Sequence, residues 1–251
     1  MRLVVLSTIR VGTAGWSIPR AVAPSFPGEG THLERYSRML SAVEVNSSFY
    51  RPHARKVYER WAARVPETFK FSVKVPRTIT HEQRLADSRE LVDTFLGQVE
   101  GLGAKLGVLL VQLPPSLTFD LRVARSFFVM CRKRYSGAIA CEPRHLTWFE
   151  PRADELLREH GISRVAADPA ITSVAAAPGG SATAQELGAD AVAYYRLHGS
   201  PRMYWSSYSS ERLAEWSAQM RAIGNSCAWC IFDNTASGAA IENALTLNSN
   251  D

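Results

Sequence analysis

The segments AVEVNSSFY (42–50), ARKVYERWAARV (54–65) and FKFSVKVPRTITH (69–81) decide how this chain folds. At a strand's period of two, Val43 and Val45 share one face, and Glu44, Asn46 and Ser48 share the other. Phe69, Phe71, Val73 and Val75 likewise share a face, opposite Lys70, Ser72 and Lys74. A strand, a helix of about three turns and a second strand make a right-handed βαβ unit with parallel strands. In an open doubly wound sheet helices cover both faces, and the strands read as unbroken apolar runs. These strands alternate instead, so their second face must meet polar partners or a solvated cavity. A closed parallel barrel offers that cavity where its strands end, which predicts Glu44, Asn46 and Lys74 at a barrel mouth.

Working outward, RVGTAGW (10–16) reads as a first strand, 17–30 as a long loop, and HLERYSRML (32–40) as a helix capped by Thr31, with Leu33, Tyr36 and Leu40 on one face. Beyond the unit, an amphipathic run over 85–103 places Leu91, Phe95 and Val99 inward. The strand LGVLLVQLPP (106–115) ends in Gln112 before a Pro-Pro stop, and a helix follows over 120–135. GAIACEPR (137–144) is a strand whose Ala138, Ala140, Glu142 and Arg144 share a face, and SRVAADPA (163–170) is a short one ending in Asp168. AVAYYRLHGSP (191–201) puts Tyr194, Arg196 and His198 on one face, and CAWCIFDN (227–234) is the last strand. From 171 to 190 the pattern dissolves into small residues, leaving at most one turn at Ala184 to Leu187, so the sixth helix is irregular or missing. The pattern predicts an α/β fold, a single (β/α)8 TIM-type barrel domain over 1–251, and the length of 251 residues fits the ~250 usual for that fold.

Composition narrows the function. With 29 Lys+Arg against 24 Asp+Glu the net charge is +5, compatible with an anionic partner, and no block of like charges resembles a nucleic-acid tail. Residues 1–9 lack the pattern of a signal peptide and no apolar run reaches ~18 residues, which predicts a cytoplasmic protein without membrane association. Cys131, Cys141, Cys227 and Cys230 sit in apolar segments and read as reduced thiols. Cys227 and Cys230, three apart on a strand, point to opposite faces, unlike a redox pair. No GxGxxG or phosphate-binding Walker loop is present, so no cofactor is expected.

In chain order GTAGWS, VEVNSSFY, FKFSVKVPRTITH, VLLVQLPP, CEPRHLTW, YYRLHG and IFDNTASGAAIENALTL resemble the YecE-like family, domain of unknown function 72, over nearly the whole chain. The resemblance implies a (β/α)8-type barrel and carries no established reaction. Two departures stand out. Pro143 separates Glu142 from Arg144 where the family has an apolar residue, and Asp233-Asn234 replaces the family's pair of asparagines, adding a carboxylate to the rim.

If every polar strand face turns inward, Glu44, Asn46, Lys74, Gln112, Glu142, Arg144, Asp168, Arg196 and His198 gather at the C-terminal mouth, where this fold keeps its catalytic groups. Glu142, Glu44, Lys74 and His198 are the candidate acid/base residues. Arg144, Arg196, Asn46, Gln112, Asp168, Tyr50 and Asn234 are the candidate substrate contacts, with the arginines gripping carboxylate or phosphate. Lys74 reads either as the ion-pair partner of Glu44 or as a base or Schiff-base amine. His81 reads as a site or a turn residue. HxH, HExxH and clustered Cys/His are absent from the sequence and cations crowd the mouth, so no metal is expected. The reading is a cofactor-independent hydrolase- or lyase-like enzyme acting by general acid/base chemistry on an anionic small molecule or nucleic-acid fragment. The alternatives are a non-catalytic binder of nucleic acid or an anionic metabolite, and an ion-pair network that only closes the barrel. On the enzyme reading, Arg196→Met leaves folding nearly intact and weakens anion binding.

Overall fold

A computed structural model describes residues 9–181, 192–223 and 227–249. β1 (Ile9–Thr13) leads through the long loop to α1 (His32–Met39). A reciprocal capping box starts α1: Thr31 Oγ1 accepts from the Glu34 amide, and the Glu34 carboxylate accepts from the Thr31 amide at 2.6 Å. The deciding unit follows as β2 (Ala42–Val45), the one-turn α2 (Ser47–Tyr50), α3 (Arg55–Ala62) and β3 (Lys70–Lys74). Then come α4 (Arg89–Val99), β4 (Leu106–Gln112), α5 (Leu121–Arg132), β5 (Ala138–Glu142), α6 (Pro151–Glu159), β6 (Ile162–Arg164), β7 (Ala166–Asp168) and β8 (Gly179–Gly180). The chain ends in β9 (Val192–Leu197), α7 (Ser210–Arg221), β10 (Cys227–Phe232) and α8 (Ala239–Ser249).

This is a mixed α/β fold with two largely parallel sheets, ordered β2-β3-β4-β5-β6-β8 and β1-β10-β9-β7. The expected closed barrel ladder is not formed. The sequence's sixth strand is divided at Val165: β6 pairs with β5, while β7 pairs with β9. The reason lies on the free edge of β6, where β8 pairs antiparallel through Gly179 and Gly180 and occupies the donors and acceptors a next parallel strand would need. On the other side the sheets meet, among the described residues, at one bridge, Ala14 to Glu44, with the Gly15 amide donating to the Glu44 carbonyl at 2.9 Å. In the expected irregular crossover, one helical turn at Ser173–Ala176 precedes β8. The turn expected at Ala184 to Leu187 lies outside the described residues.

The alternation expected of the strands sorts two apolar layers. Val43, Val45, Phe71, Val73, Ile139, Tyr195, Leu197 and Phe232 pack in the larger core with the helices. Ala42, Val108, Leu110, Ala138, Ala140, Val165, Tyr194, Trp229 and Ile231, drawn from both sheets, form a smaller inner cluster. Polar side chains begin where that cluster ends, at the C-terminal strand ends. Among the helices, α1 buries Leu33, Tyr36 and Leu40 as expected. In α4 the stripe is Val92, Phe95, Leu96 and Val99, and Leu91 is 37% exposed. Phe95 and Val99 face inward as expected, and only in the first turn does Val92, about 100° round the helix, take the place expected of Leu91. Cys131, Cys141 and Cys230 are buried, and burial pushes the Cys131 thiol up to about 12. No helix among the described residues is long and apolar enough to cross a membrane.

Gly12 sets how closely β1 and β2 approach at the seam: a Cβ there would stand 2.2 Å from the Ala42 carbonyl oxygen. Backbone cannot swing aside as a side chain can, so Gly12→Ala is expected to destabilise by roughly 1–3 kcal/mol, as overpacking does. Urea denaturation measures this, and an unchanged midpoint would mean that the seam is not tight.

Candidate functional site

Arg196 lies on β9 between β10 and β7, opposite Ile231 and Ala167 in register, with its side chain 0% exposed. Three carboxylates from three other strand ends converge on it. Nε and Nη2 donate to the two oxygens of Glu44 at 3.0 and 2.7 Å, a bidentate pair. Nη1 donates to Glu142 Oε2 at 2.7 Å, and Nη2 also donates to Asp233 Oδ2 at 2.9 Å. The guanidinium is thereby committed to carboxylates, and so are they to it.

The remaining lone pairs are taken in turn. Tyr194 lies 2.9 Å from Glu44 Oε2 and 2.8 Å from Ser72 Oγ; its single proton goes to the carboxylate, and its oxygen accepts from the serine hydroxyl. His198 places Nε2 2.9 Å from Glu142 Oε1 and Nδ1 3.1 Å from Asp233 Oδ2. A neutral ring can donate to one of these; a doubly protonated ring donates to both. Arg144 Nη2 donates to Glu142 Oε1 at 2.7 Å. Burial alone would raise Glu142, but Arg196, Arg144 and His198 hold it well below the usual carboxylate range. Asp233 is held low in the same way, with burial opposed by Arg196 and the His198 hydrogen bond.

Lys74 breaks the pattern. Its side chain is buried, its Nζ stands 4.2 Å from the Phe49 ring centroid, and among the described residues it makes no hydrogen bond or ion pair. The expected pair with Glu44 is not formed, because Arg196 and Tyr194 hold both Glu44 oxygens. Burial, then the charge of Arg196, pushes Lys74 down to about 8, against the partly compensating attraction of Glu44, Glu142 and Asp233. At the strand ends Arg144 Nε and Asn46 Oδ1 are among the polar atoms buried without a partner. His81 packs edge-on against Phe49 at 4.9 Å, with Nδ1 2.8 Å from Thr80 Oγ1, and its proton affinity is lowered by burial and then by Lys74.

Of the residues proposed from sequence, Glu44, Glu142, Arg144, Arg196 and His198 are thus directly joined, with Lys74 within their field. Gln112 is half-buried opposite Glu142 in register. Asn46 starts α2 at the end of β2, and Tyr50 at the end of α2 is 73% exposed. Arg196 is corrected from an anion contact to an enclosed hub. Asp168 is corrected too: its carbonyl accepts from the His198 amide at 2.7 Å, but its carboxylate accepts from the Tyr208 hydroxyl at 2.7 Å and is not bonded to the cluster's side chains among the described residues. Asn234 is turned to the loop after β9 and to α8, donating to the Ser206 carbonyl at 2.8 Å and to Asn243 Oδ1 at 2.9 Å. Asp233 belongs to the cluster in its stead. The sequence already placed this carboxylate at the rim, and parity agrees, since Trp229 and Ile231 face inward and the next odd position is 233. The same count finds Tyr194 two residues before Arg196.

Among the described residues no three His, Cys, Asp or Glu side chains are arranged to hold a metal ion. A groove of about 590 Å3 lies apart on the outer helices, bordered by Ser88, Arg89, Arg122, Ser126 and Lys133, and none of the clustered residues lines it.

Parallel strands with a buried charge cluster at their C-terminal ends define an α/β protein with a strand-end polar site. The chain belongs to the family described as "Protein of unknown function DUF72", matched over residues 10–250, in agreement with the YecE-like resemblance. That description assigns no activity. UPF0759 protein YunF of Bacillus subtilis (strain 168) is 25% identical over 94% of this chain and 92% of its own length. UPF0759 protein YecE of Escherichia coli (strain K12) is 28% identical over 64% of this chain and 59% of its own. In fold the chain is similar to the crystal structure of a DUF72 family protein from Thermotoga maritima, with TM-score 0.76, 24% identity and coverage of 96% and 98% of the two chains. A second DUF72 structure, from Enterococcus faecalis, gives TM-score 0.75 at 21% identity over 96% and 94%.

Proposed function

We propose that the chain is an enzyme that binds an anionic substrate, a phosphate-bearing small molecule or nucleic-acid fragment, at the C-terminal strand ends and works on it by general acid/base chemistry. On this reading the chain is one domain, and its two sheets are a (β/α)8 arrangement opened where β8 covers β6. One observation carries the function: the cluster ties Arg196 to its three carboxylates, yet among the described residues it leaves Arg144 Nε buried without a partner and Lys74 Nζ with only the Phe49 ring beside it. A network serving only to hold strands together has no use for a spare buried donor such as Arg144 Nε, which costs stability when left unpaired. Arg144 would then grip the anion and Lys74 would exchange the proton, while Glu44, Glu142, His198 and Asp233 position them. No cofactor enters this chemistry.

Titration calorimetry with inorganic phosphate and a nucleoside 5′-monophosphate at low salt tests the reading. Arg144→Gln removes a charge-assisted contact of roughly 1.5–3 kcal/mol, so phosphate affinity is expected to fall on the order of tenfold or more. Unchanged affinity, or no binding by the unmodified protein, would overturn it.

A further inference from the structure

We propose that Lys74 is a covalent attachment point, its amine condensing with the carbonyl carbon of an aldehyde or ketone that carries a phosphate or carboxylate. This names the substrate class for the strand-end site and rests on the anion-binding reading above.

The chain has five lysines, and Lys74 differs from the other four. Lys70 Nζ donates to the Ala104 carbonyl at 2.6 Å. Lys105 Nζ donates to the Ala62 and Val65 carbonyls at 2.8 and 2.7 Å and also pairs with Glu67. Lys56 and Lys133 are exposed. Lys74 is 7% exposed and sets its Nζ against an aromatic face, with no acceptor among the described residues to hold it as an ammonium ion. A buried ammonium without an acceptor is costly, and the free amine is correspondingly favoured. With the amine brought to about 8, about a tenth of it is neutral at pH 7, against well under a thousandth for an ordinary lysine.

The surroundings suit each stage of the condensation. The neutral nitrogen attacks the carbonyl carbon; the nitrogen then gives up one proton and the carbonyl oxygen takes one up, which gives a neutral carbinolamine with the nitrogen lone pair restored. A second proton on that hydroxyl releases it as water, and the nitrogen lone pair closes the carbon–nitrogen double bond. His81 shares the Phe49 ring with Lys74 and has Nδ1 tied to Thr80, which leaves Nε2 to carry the proton. The resulting cation remains over the Phe49 face and in the field of Glu44, Glu142 and Asp233. None of those carboxylates bonds the amine among the described residues; Arg196, Arg144, His198 and Tyr194 bond them instead. Arg144 Nε supplies the contact for the substrate's anionic group. The sequence is reversible by addition of water and needs no oxidant or reductant.

Reduction of the imine makes it permanent and measurable. The intact protein is incubated at pH 7 with glyceraldehyde 3-phosphate or pyruvate and sodium cyanoborohydride, and the added mass is located by peptide mapping. Lys74 is expected to be labelled at least about tenfold more than Lys56 and Lys133, which serve as internal references. Lys74→Arg, with folding checked by circular dichroism, is expected to abolish that adduct and keep phosphate binding. Label at Lys74 no greater than at the exposed lysines would overturn the attachment proposal. If phosphate binding survives that outcome, the attachment alone fails; if labelling is selective while Arg144→Gln leaves phosphate affinity unchanged, the anion reading fails instead.

Discussion

Replacing Arg196 by Met is expected to destabilise the protein by about 3–5 kcal/mol, the range for removing one partner of a buried ionic network. The sequence alone predicted nearly intact folding, because it placed Arg196 at an open mouth. In the structure its guanidinium is fully enclosed and donates four hydrogen bonds to Glu44, Glu142 and Asp233. Methionine fills much of the same volume, so the loss is one of charge rather than packing. The sign of the pH dependence identifies the cause. Glu142 is held well below 4.5 by Arg196, Arg144 and His198 against its own burial, so it stabilises the wild type above about pH 4.5 and that stability is lost as pH falls. Without Arg196 the burial is less opposed, and the variant's carboxyls take up protons at higher pH than the wild type's. The gap between the proteins should therefore be widest near neutral pH and narrow on acidification towards pH 4.5. Guanidinium denaturation at several pH values measures it. A gap under about 1 kcal/mol, or one independent of pH, would show that Arg196 does not hold the carboxylates together.

The strand pattern revealed the site's membership because parity is a local property. Glu44, Lys74, Glu142, Arg196 and His198 follow from counting by two along four strands, and the inner apolar cluster confirms the count at Ala42, Ala138, Ala140 and Tyr194. Parity also warns against Asp168: Ala166 belongs to the outer core, so the residue two further on faces away from the cluster. Partner choice was not legible. Lys74 and Glu44 look like an obvious pair on neighbouring strands, yet Glu44 is taken by Arg196 and Tyr194, about 150 residues away in the chain. Nor was the break in the ladder, since Gly179 and Gly180 have no side chains to pattern and their pairing with β6 is purely a backbone event. Helix phase lies between these cases. Leu91 and Val92 are adjacent apolar residues, and only packing decides which faces the core.

Between about pH 8 and pH 10.5 the wild type is expected to gain about 3 kcal/mol of stability relative to Lys74→Met. The unfolded chain keeps a proton on Lys74 up to about 10.5, whereas burial limits the folded chain to about 8. Across that window the unfolded state binds more protons, so raising the pH favours the folded state, and the slope belongs to Lys74 because other titrating groups cancel in the difference. Lys74 is 7% exposed, so solvent screening removes little of the effect. Below pH 8 both states carry the proton and the cost of burying it is fully present, which makes the Met variant at least as stable as the wild type there. Urea denaturation of both proteins at pH 7, 8, 9 and 10 gives the comparison. A difference that stays flat would mean that the amine keeps an ordinary proton affinity in the fold, and its use as a neutral nucleophile near pH 7 would lose its physical basis.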